Sequence, residues 1–213
     1  MGGKIRTGAD GTIAKGLDHD PPAARKWTPL GILMMATGAL TMIFGTQETS
    51  DFRVDGLKVW WQLVKDRLPL IRRLVIYLDN GPNNSGSRIQ FLKRMVEFAD
   101  WSGLEIRVVY YPPYHSKYNP IERCWSSLEQ KWGGALLTSL SVILQEARRM
   151  VWKGRHPTVA YLEGTYAVGV RLTKQEMKPI EARLERSPTL AKYDVTIRPL
   201  TPPRRVNQTL PNA

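Results

Sequence analysis

An α/β layer built on a mixed sheet is the fold class that this chain predicts, and three patterns predict it. An apolar hairpin pattern occupies Leu30 to Phe44, two later apolar runs (Leu74 to Leu78 and Ile106 to Tyr110) are each followed by a loop, and segments of helical period come after each of them. The order reads strand, strand, helix, strand, helix, strand, helix, helix. The early hairpin makes the sheet partly antiparallel.

Each element has a local reason. Residues 1–26 are polar and rich in Gly, Lys and Arg, without a sustained period of 2 or 3.6, so they read as loop with at most one short strand. Leu30 to Ala36 and Ala39 to Phe44, separated by Thr37-Gly38, read as a β-hairpin with glycine at its turn. Thr49, Ser50 or Asp51 can cap a helix reaching about Arg67, with Phe52, Val54, Leu57, Trp60, Trp61 and Val64 on one face. Leu74 to Leu78 is continuously apolar, the pattern of a strand covered on both faces. Ile89, Leu92, Val96 and Ala99 recur at helical spacing until Gly103, and Ile106, Val108 and Tyr110 mark another strand. Pro120 opens the next helix at its first position, and Ile121, Trp125, Leu128 and Trp132 form its apolar face. A further helix runs from about Ser139 to Trp152. Beyond His156-Pro157 the expected elements are a strand near Thr158 to Leu162, a helix begun by the capping box Thr173 to Glu176, and a strand near Val195. The proline-rich 198–213 reads as a disordered or extended tail. The expected segments are 1–26, a core over 27–155, a subdomain over 156–197 and that tail.

Composition narrows the function. A chain of 213 residues can bury roughly 70% of its unfolded surface, enough for a real core. Lysine and arginine outnumber acids 31 to 19, a formal charge of +12, which favours polyanions and makes nucleic acid the leading partner. A single cysteine, Cys124, rules out an internal disulfide and points to a cytoplasmic setting. Leu30 to Phe44 is too short and interrupted to span a bilayer, so no membrane partner is expected. The histidines and Cys124 lack the spacing of a structural zinc site.

Two carboxylates stand at chain ends where chemistry gathers. Asp79 follows the Leu74 to Leu78 strand and precedes Asn80-Gly81-Pro82-Asn83-Asn84-Ser85-Gly86, and Glu122 falls in the first turn of the Pro120 helix. Magnesium takes hard oxygen ligands and keeps several waters, so carboxylates at the carboxyl edge of an α/β sheet suit it, and phosphodiester chemistry follows. Asp79-Asn80-Gly81 equally suits an ordinary turn, and Asn119 to Glu122 an ordinary capping box. Lys117, Arg123, Arg88, Lys93 and Arg94 flank the two acids and could meet phosphates, or could line a solvated face. His115 could assist proton transfer or contact a phosphate, or do neither.

The combination Leu78-Asp79-Asn80-Gly81, Pro112-Pro113-Tyr114, Ser116-Lys117 and Asn119-Pro120-Ile121-Glu122 before Trp125 resembles DDE transposases of bacterial insertion sequences. Leu17-Asp18-His19-Asp20, Glu48-Thr49-Ser50-Asp51-Phe52 and Trp60-Trp61 resemble the ISAzo-type branch in particular. The likeness runs from about Lys4 to Leu200. It implies a ribonuclease-H-like mixed sheet flanked by helices, and transposition dependent on Mg²⁺ or Mn²⁺, in which water cleaves the element's ends and the freed 3′ hydroxyl attacks target DNA. Double-stranded DNA, as element ends and target, and a homo-oligomer assembled on it are the implied partners. Asp79 matches the second acid of the triad and Glu122 the third, both as catalytic metal ligands.

The first acid of such a triad lies on an opening strand ahead of the antiparallel pair. Asp10, Asp18 and Asp20 are the acids available there, and none follows an apolar run suited to a central strand. The expectation is therefore a chain truncated at its N-terminus, lacking that strand, its aspartate and an end-recognition domain. Losing one ligand at a cost of about 4 kcal/mol would slow the reaction roughly a thousandfold. An exposed sheet edge would also favour aggregation or oligomerisation. The competing reading is a noncatalytic basic remnant that binds DNA or assembles with partner chains.

Overall fold

The computed structural model describes residues 27–201 apart from 113–114, 116–117, 134–136 and 138. The expectations for 1–26, Lys117, and the tail beyond residue 201 lie outside the described residues. In chain order the elements are β1 (Thr28–Leu33), β2 (Leu40–Gly45), α1 (Ser50–Val64), β3 (Arg73–Leu78), α2 (Ile89–Ser102), β4 (Glu105–Tyr110), α3 (Ile121–Trp132), α4 (Leu140–Arg149), β5 (Thr158–Tyr161), α5 (Lys174–Glu181), β6 (Leu184–Arg186) and β7 (Asp194–Ile197). The described residues fall into two compact units, those of 27–60 with 120–168 and those of 61–119 with 169–201. Neither unit is a continuous stretch of sequence, because β5 returns to pair with β2 while β6 and β7 join β4.

The first unit holds a three-stranded sheet of order β1-β2-β5. β1 and β2 form the expected antiparallel hairpin, with Leu33 opposite Leu40. Gly38, at φ +70°, closes the turn, and its N–H donates to the Met34 carbonyl at 2.8 Å. β2 is buried along its whole length, as a central strand should be, and β5 pairs with it in parallel from Thr41–Thr158 to Phe44–Tyr161. Leu40, Met42 and Phe44 share a core with Cys124 and Leu128 of α3 and with Ile143 and Ala147 of α4. Trp125 packs at the side of this core. A Cβ at Gly31 would lie 2.7 Å from Trp125 Cζ2, so β1 needs a glycine where the indole crosses it. Thr49 is the residue that caps α1, its Oγ1 accepting from Phe52 N at 3.1 Å. α4 ends earlier than its sequence pattern, since Met150 turns to extended backbone and Trp152 instead bridges Arg155.

The second unit holds a four-stranded sheet of order β3-β4-β7-β6. β3 and β4 are parallel with Leu78 opposite Tyr110, while β7 is antiparallel to both β4 and β6. Phe91, Leu92, Met95, Phe98 and Ala99 of α2 are buried, together with Ile106, Val108, Val195 and Ile197 of the strands. Gly103 ends α2 in the left-handed region at φ 71°, its N–H returning to the Ala99 carbonyl at 2.9 Å. The expected capping box is present, Thr173 accepting from Glu176 N and Glu176 from Thr173 N.

The expected mixed α/β layering is present, its strands forming two mixed sheets among the described residues, and one expectation is corrected. Among the described residues β3 is an edge strand, not a central strand covered on both faces: Val75 is 39% and Tyr77 53% exposed, while Leu74, Ile76 and Leu78 turn inward. A continuous apolar run does not distinguish these cases, because an edge strand also uses β-branched and aromatic residues on its outer face. Pro120 has helical backbone directly before Ile121, as its expected place at the start of α3 requires.

Candidate functional site

Asp79 is partly buried at the carboxyl end of β3, and the loop behind it decides how its carboxylate is held. Gly81-Pro82-Asn83-Asn84 forms a turn in which the Asn84 N–H reaches the Gly81 carbonyl at 3.3 Å. Proline fixes the backbone at the second position of such a turn. The turn folds Asn84 back under the strand end, where its side chain is fully buried and Nδ2 donates to Asp79 Oδ1 at 2.8 Å. The amide must face this way, because a carboxylate oxygen only accepts. Asn84 Oδ1 is buried without a partner among the described residues. A Cβ on Gly81 would lie 3.0 Å from Asn84 Oδ1 and 3.3 Å from Asp79 Oδ2, so the glycine leaves room for both oxygens.

A charge-assisted hydrogen bond contributes about 1.5–3 kcal/mol, and a buried acceptor left unpaired costs about 1–3 kcal/mol. The two effects at Asn84 nearly cancel.

The rest of the loop is clamped to the second unit. Arg186 Nη1 donates to the carbonyls of Gly86 at 3.0 Å and Ala191 at 3.1 Å, while its other nitrogens meet the Glu181 carboxylate. Gly86 is buried against the Lys192 carbonyl and the Tyr110 ring. Burial pushes the Tyr110 hydroxyl well above its ordinary pKa, and the neighbouring Arg186 charge opposes that only partly. Arg88 precedes α2 and turns Nη2 toward the Val170 carbonyl at 3.4 Å, with Nε buried and unpaired among the described residues. Arg94 pairs with Glu97 at 3.3 Å.

His115 is exposed, its ring stacked on Tyr118 at 5.8 Å between centroids. Glu122 and Arg123 are exposed on the first turn of α3, opposite the face that buries Cys124 and Leu128. Asp79, Arg88 and His115 thus belong to the second unit and Glu122 and Arg123 to the first. Cys124 is buried in the core of the first unit, and that burial pushes its thiol up to about 11, which disfavours the thiolate. Among the described residues no three His, Cys, Asp or Glu side chains gather as a metal cluster, and no helix is long and apolar enough to cross a membrane. Asn84 is the partner of Asp79 that sequence reasoning missed, because an asparagine in the Gly81-Pro82-Asn83-Asn84 turn reads as ordinary turn chemistry.

A basic chain of two mixed α/β units, carrying an oriented carboxylate at a strand end and a second acid on a helix start, has the features of a ribonuclease-H-like DDE domain. Residues 2–199 match the family model described as the Rhodopirellula transposase DDE domain. The chain belongs to this family of transposases. No curated protein and no solved structure matches it.

Proposed function

We propose that this chain takes part in DDE-type DNA transposition, the cutting of an element's ends and their joining to target DNA, with Asp79 and Glu122 as two of the carboxylate ligands of Mg²⁺ or Mn²⁺ and with weak activity as a single chain. The observation that carries this reading is the Asp79 carboxylate at the end of β3, fixed through Oδ1 by the fully buried Asn84. One hard anionic oxygen beside solvent is the kind of ligand that magnesium accepts while it keeps its waters. A bound cation would lower the pKa of an attacking water and neutralise charge on the scissile phosphate.

The chain's own residues then have distinct tasks. Asp79 presents an oxygen held in one direction, Glu122 presents a second carboxylate from a helix start, and Arg123 beside it offers a cation to DNA phosphate. His115 and Lys117 supply further phosphate contacts from the proline-rich loop. The surplus of 12 positive charges draws duplex DNA from a distance, and a homo-oligomer on DNA would bring element ends and target together.

The same charge favours a second reading, a noncatalytic chain that binds DNA. Strand cleavage and joining assays with Mg²⁺ and Mn²⁺, on the full chain and on Asp79→Asn and Glu122→Gln, separate the two. The catalytic reading expects metal-dependent products that fall by about 10²–10³ in each variant, a loss of ~3–4 kcal/mol from the transition state. Salt-sensitive DNA binding with no metal-dependent product would establish the second reading. Joining that survives Asp79→Asn unchanged would remove Asp79 from the site.

A further inference from the structure

We infer that Asn84 is a positioning residue for Asp79: it sets the direction in which the carboxylate meets a divalent cation. The inference rests on the reading of Asp79 as a metal ligand.

Three observations lead to it. Asn84 is 0% exposed, yet one of its two polar ends has no partner among the described residues. A buried amide that is only half satisfied is a poor device for stability, since a leucine of similar size would leave no acceptor unpaired. The satisfied end is aimed at Asp79 Oδ1, so among the described residues the one hydrogen bond of the Asn84 side chain is the one that orients the acid. Asp79 itself is partly buried, and water could replace a lost donor there without help from the protein. What water could not replace is direction.

The surrounding chain is arranged to keep that contact rigid. The Gly81 to Asn84 turn sets the spacing, and the lack of a side chain at Gly81 leaves both oxygens uncrowded. Arg186 holds the next segment of the loop through the Gly86 carbonyl. A carboxylate free to rotate would spread its oxygens over several rotamers, and a cation would have to select one at an entropic cost. Outer partners of metal-binding carboxylates typically change metal affinity 10- to 100-fold when removed.

The test uses the full chain without DNA. Mn²⁺ is titrated in, the free ion is counted by electron paramagnetic resonance, and the bound ion is located by broadening of the Gly81 amide signal. The wild type, Asp79→Asn and Asn84→Leu are compared, with thermal melting in the absence of metal as the second readout. The expected result is broadening at Gly81 that Asp79→Asn abolishes, and a roughly 10- to 100-fold weaker Mn²⁺ affinity in Asn84→Leu with melting unchanged or raised. Wild-type affinity in Asn84→Leu, with Asp79→Asn inactive in binding, would overturn the positioning role and leave Asp79 as a ligand. No broadening in the wild type, or broadening that survives Asp79→Asn, would overturn the metal reading and the positioning role with it. Melting lowered by more than about 5 °C would mark Asn84 as structural and also overturn it. If Asn84→Leu does not fold, Asn84→Ala is read by the same two measurements.

Discussion

Gly86→Ala is expected to destabilise the second unit severely for so small a change. Gly86 is buried, and a Cβ there would stand 2.2 Å from the Lys192 carbonyl oxygen, 3.2 Å from the carbon of that carbonyl and 3.1 Å from Tyr110 Cε2. Relaxed non-bonded contacts lie at roughly 3.5 Å, so the two chain segments must separate by about 1 Å. Backbone on both sides leaves no flexible side chain to swing away from the Lys192 carbonyl. The same displacement pulls on Arg186, whose Nη1 holds Gly86 O at 3.0 Å and Ala191 O at 3.1 Å. Overpacking in a closed site costs about 1–3 kcal/mol, and weakening a charge-assisted hydrogen bond adds about 1 kcal/mol. A total near 3 kcal/mol lowers the melting midpoint by about 6–12 °C for a chain of this length. Circular dichroism melting measures the shift, and hydrogen exchange at Tyr110, whose N–H donates to Tyr193 O at 2.8 Å, reports whether the second unit is the part that loosens. A midpoint within about 2 °C of wild type, with Tyr110 equally protected, would refute the close approach from which the magnitude is worked.

The other expectations concern separate parts of the molecule. Gly81→Ala presses on the side-chain oxygens of Asn84 and Asp79 rather than on backbone, so Mn²⁺ affinity should fall while stability changes by less than about 1 kcal/mol, as titration and melting of the same sample would check. Leu128→Ala, at a site 2% exposed in the core of the first unit, should cost about 3 kcal/mol in denaturant unfolding, whereas the exposed Glu129→Ala should stay within about 0.5 kcal/mol. Acid should weaken the second unit through two aspartates: the Arg183 guanidinium holds Asp100 below its ordinary pKa, and the Arg107 guanidinium does the same for Asp194. Because the folded values are depressed, their contribution is complete above the unfolded value near 4 and is lost as pH falls through the folded values. Melting midpoints should therefore show no loss from these groups between pH 8 and about 5 and decline below about pH 4. The pair Asp100→Asn and Asp194→Asn should flatten that decline, and an unchanged acid limb would refute the assignment.

The elements that were legible from sequence are those whose local chemistry and packing agree. Gly38 is left-handed where the hairpin pattern needs a turn, β2 is buried where the apolar run is densest, and Gly103 and the Thr173 capping box bound their helices as composition implies. β3 was legible as a strand but not as an edge, because Val75 and Tyr77 serve equally under a helix or in solvent, and only its neighbours decide. β6 escaped because three residues with charges at Glu185 and Arg186 have no period. The site divides along the same line. Asp79 and Glu122 could be put forward as candidates, since a carboxylate after a strand and another at a helix start are local features. Asn84 could not, because an asparagine in a loop of glycine, proline and serine looks like turn chemistry until the fold shows it fully buried. That burial bears on Asp79 as well. A turn aspartate needs only its own backbone, and nothing in turn chemistry calls for a second, buried side chain five residues on whose one hydrogen bond among the described residues is to its Oδ1. The pair at the end of β3 is therefore better explained by a carboxylate whose direction matters than by a loop that merely reverses the chain.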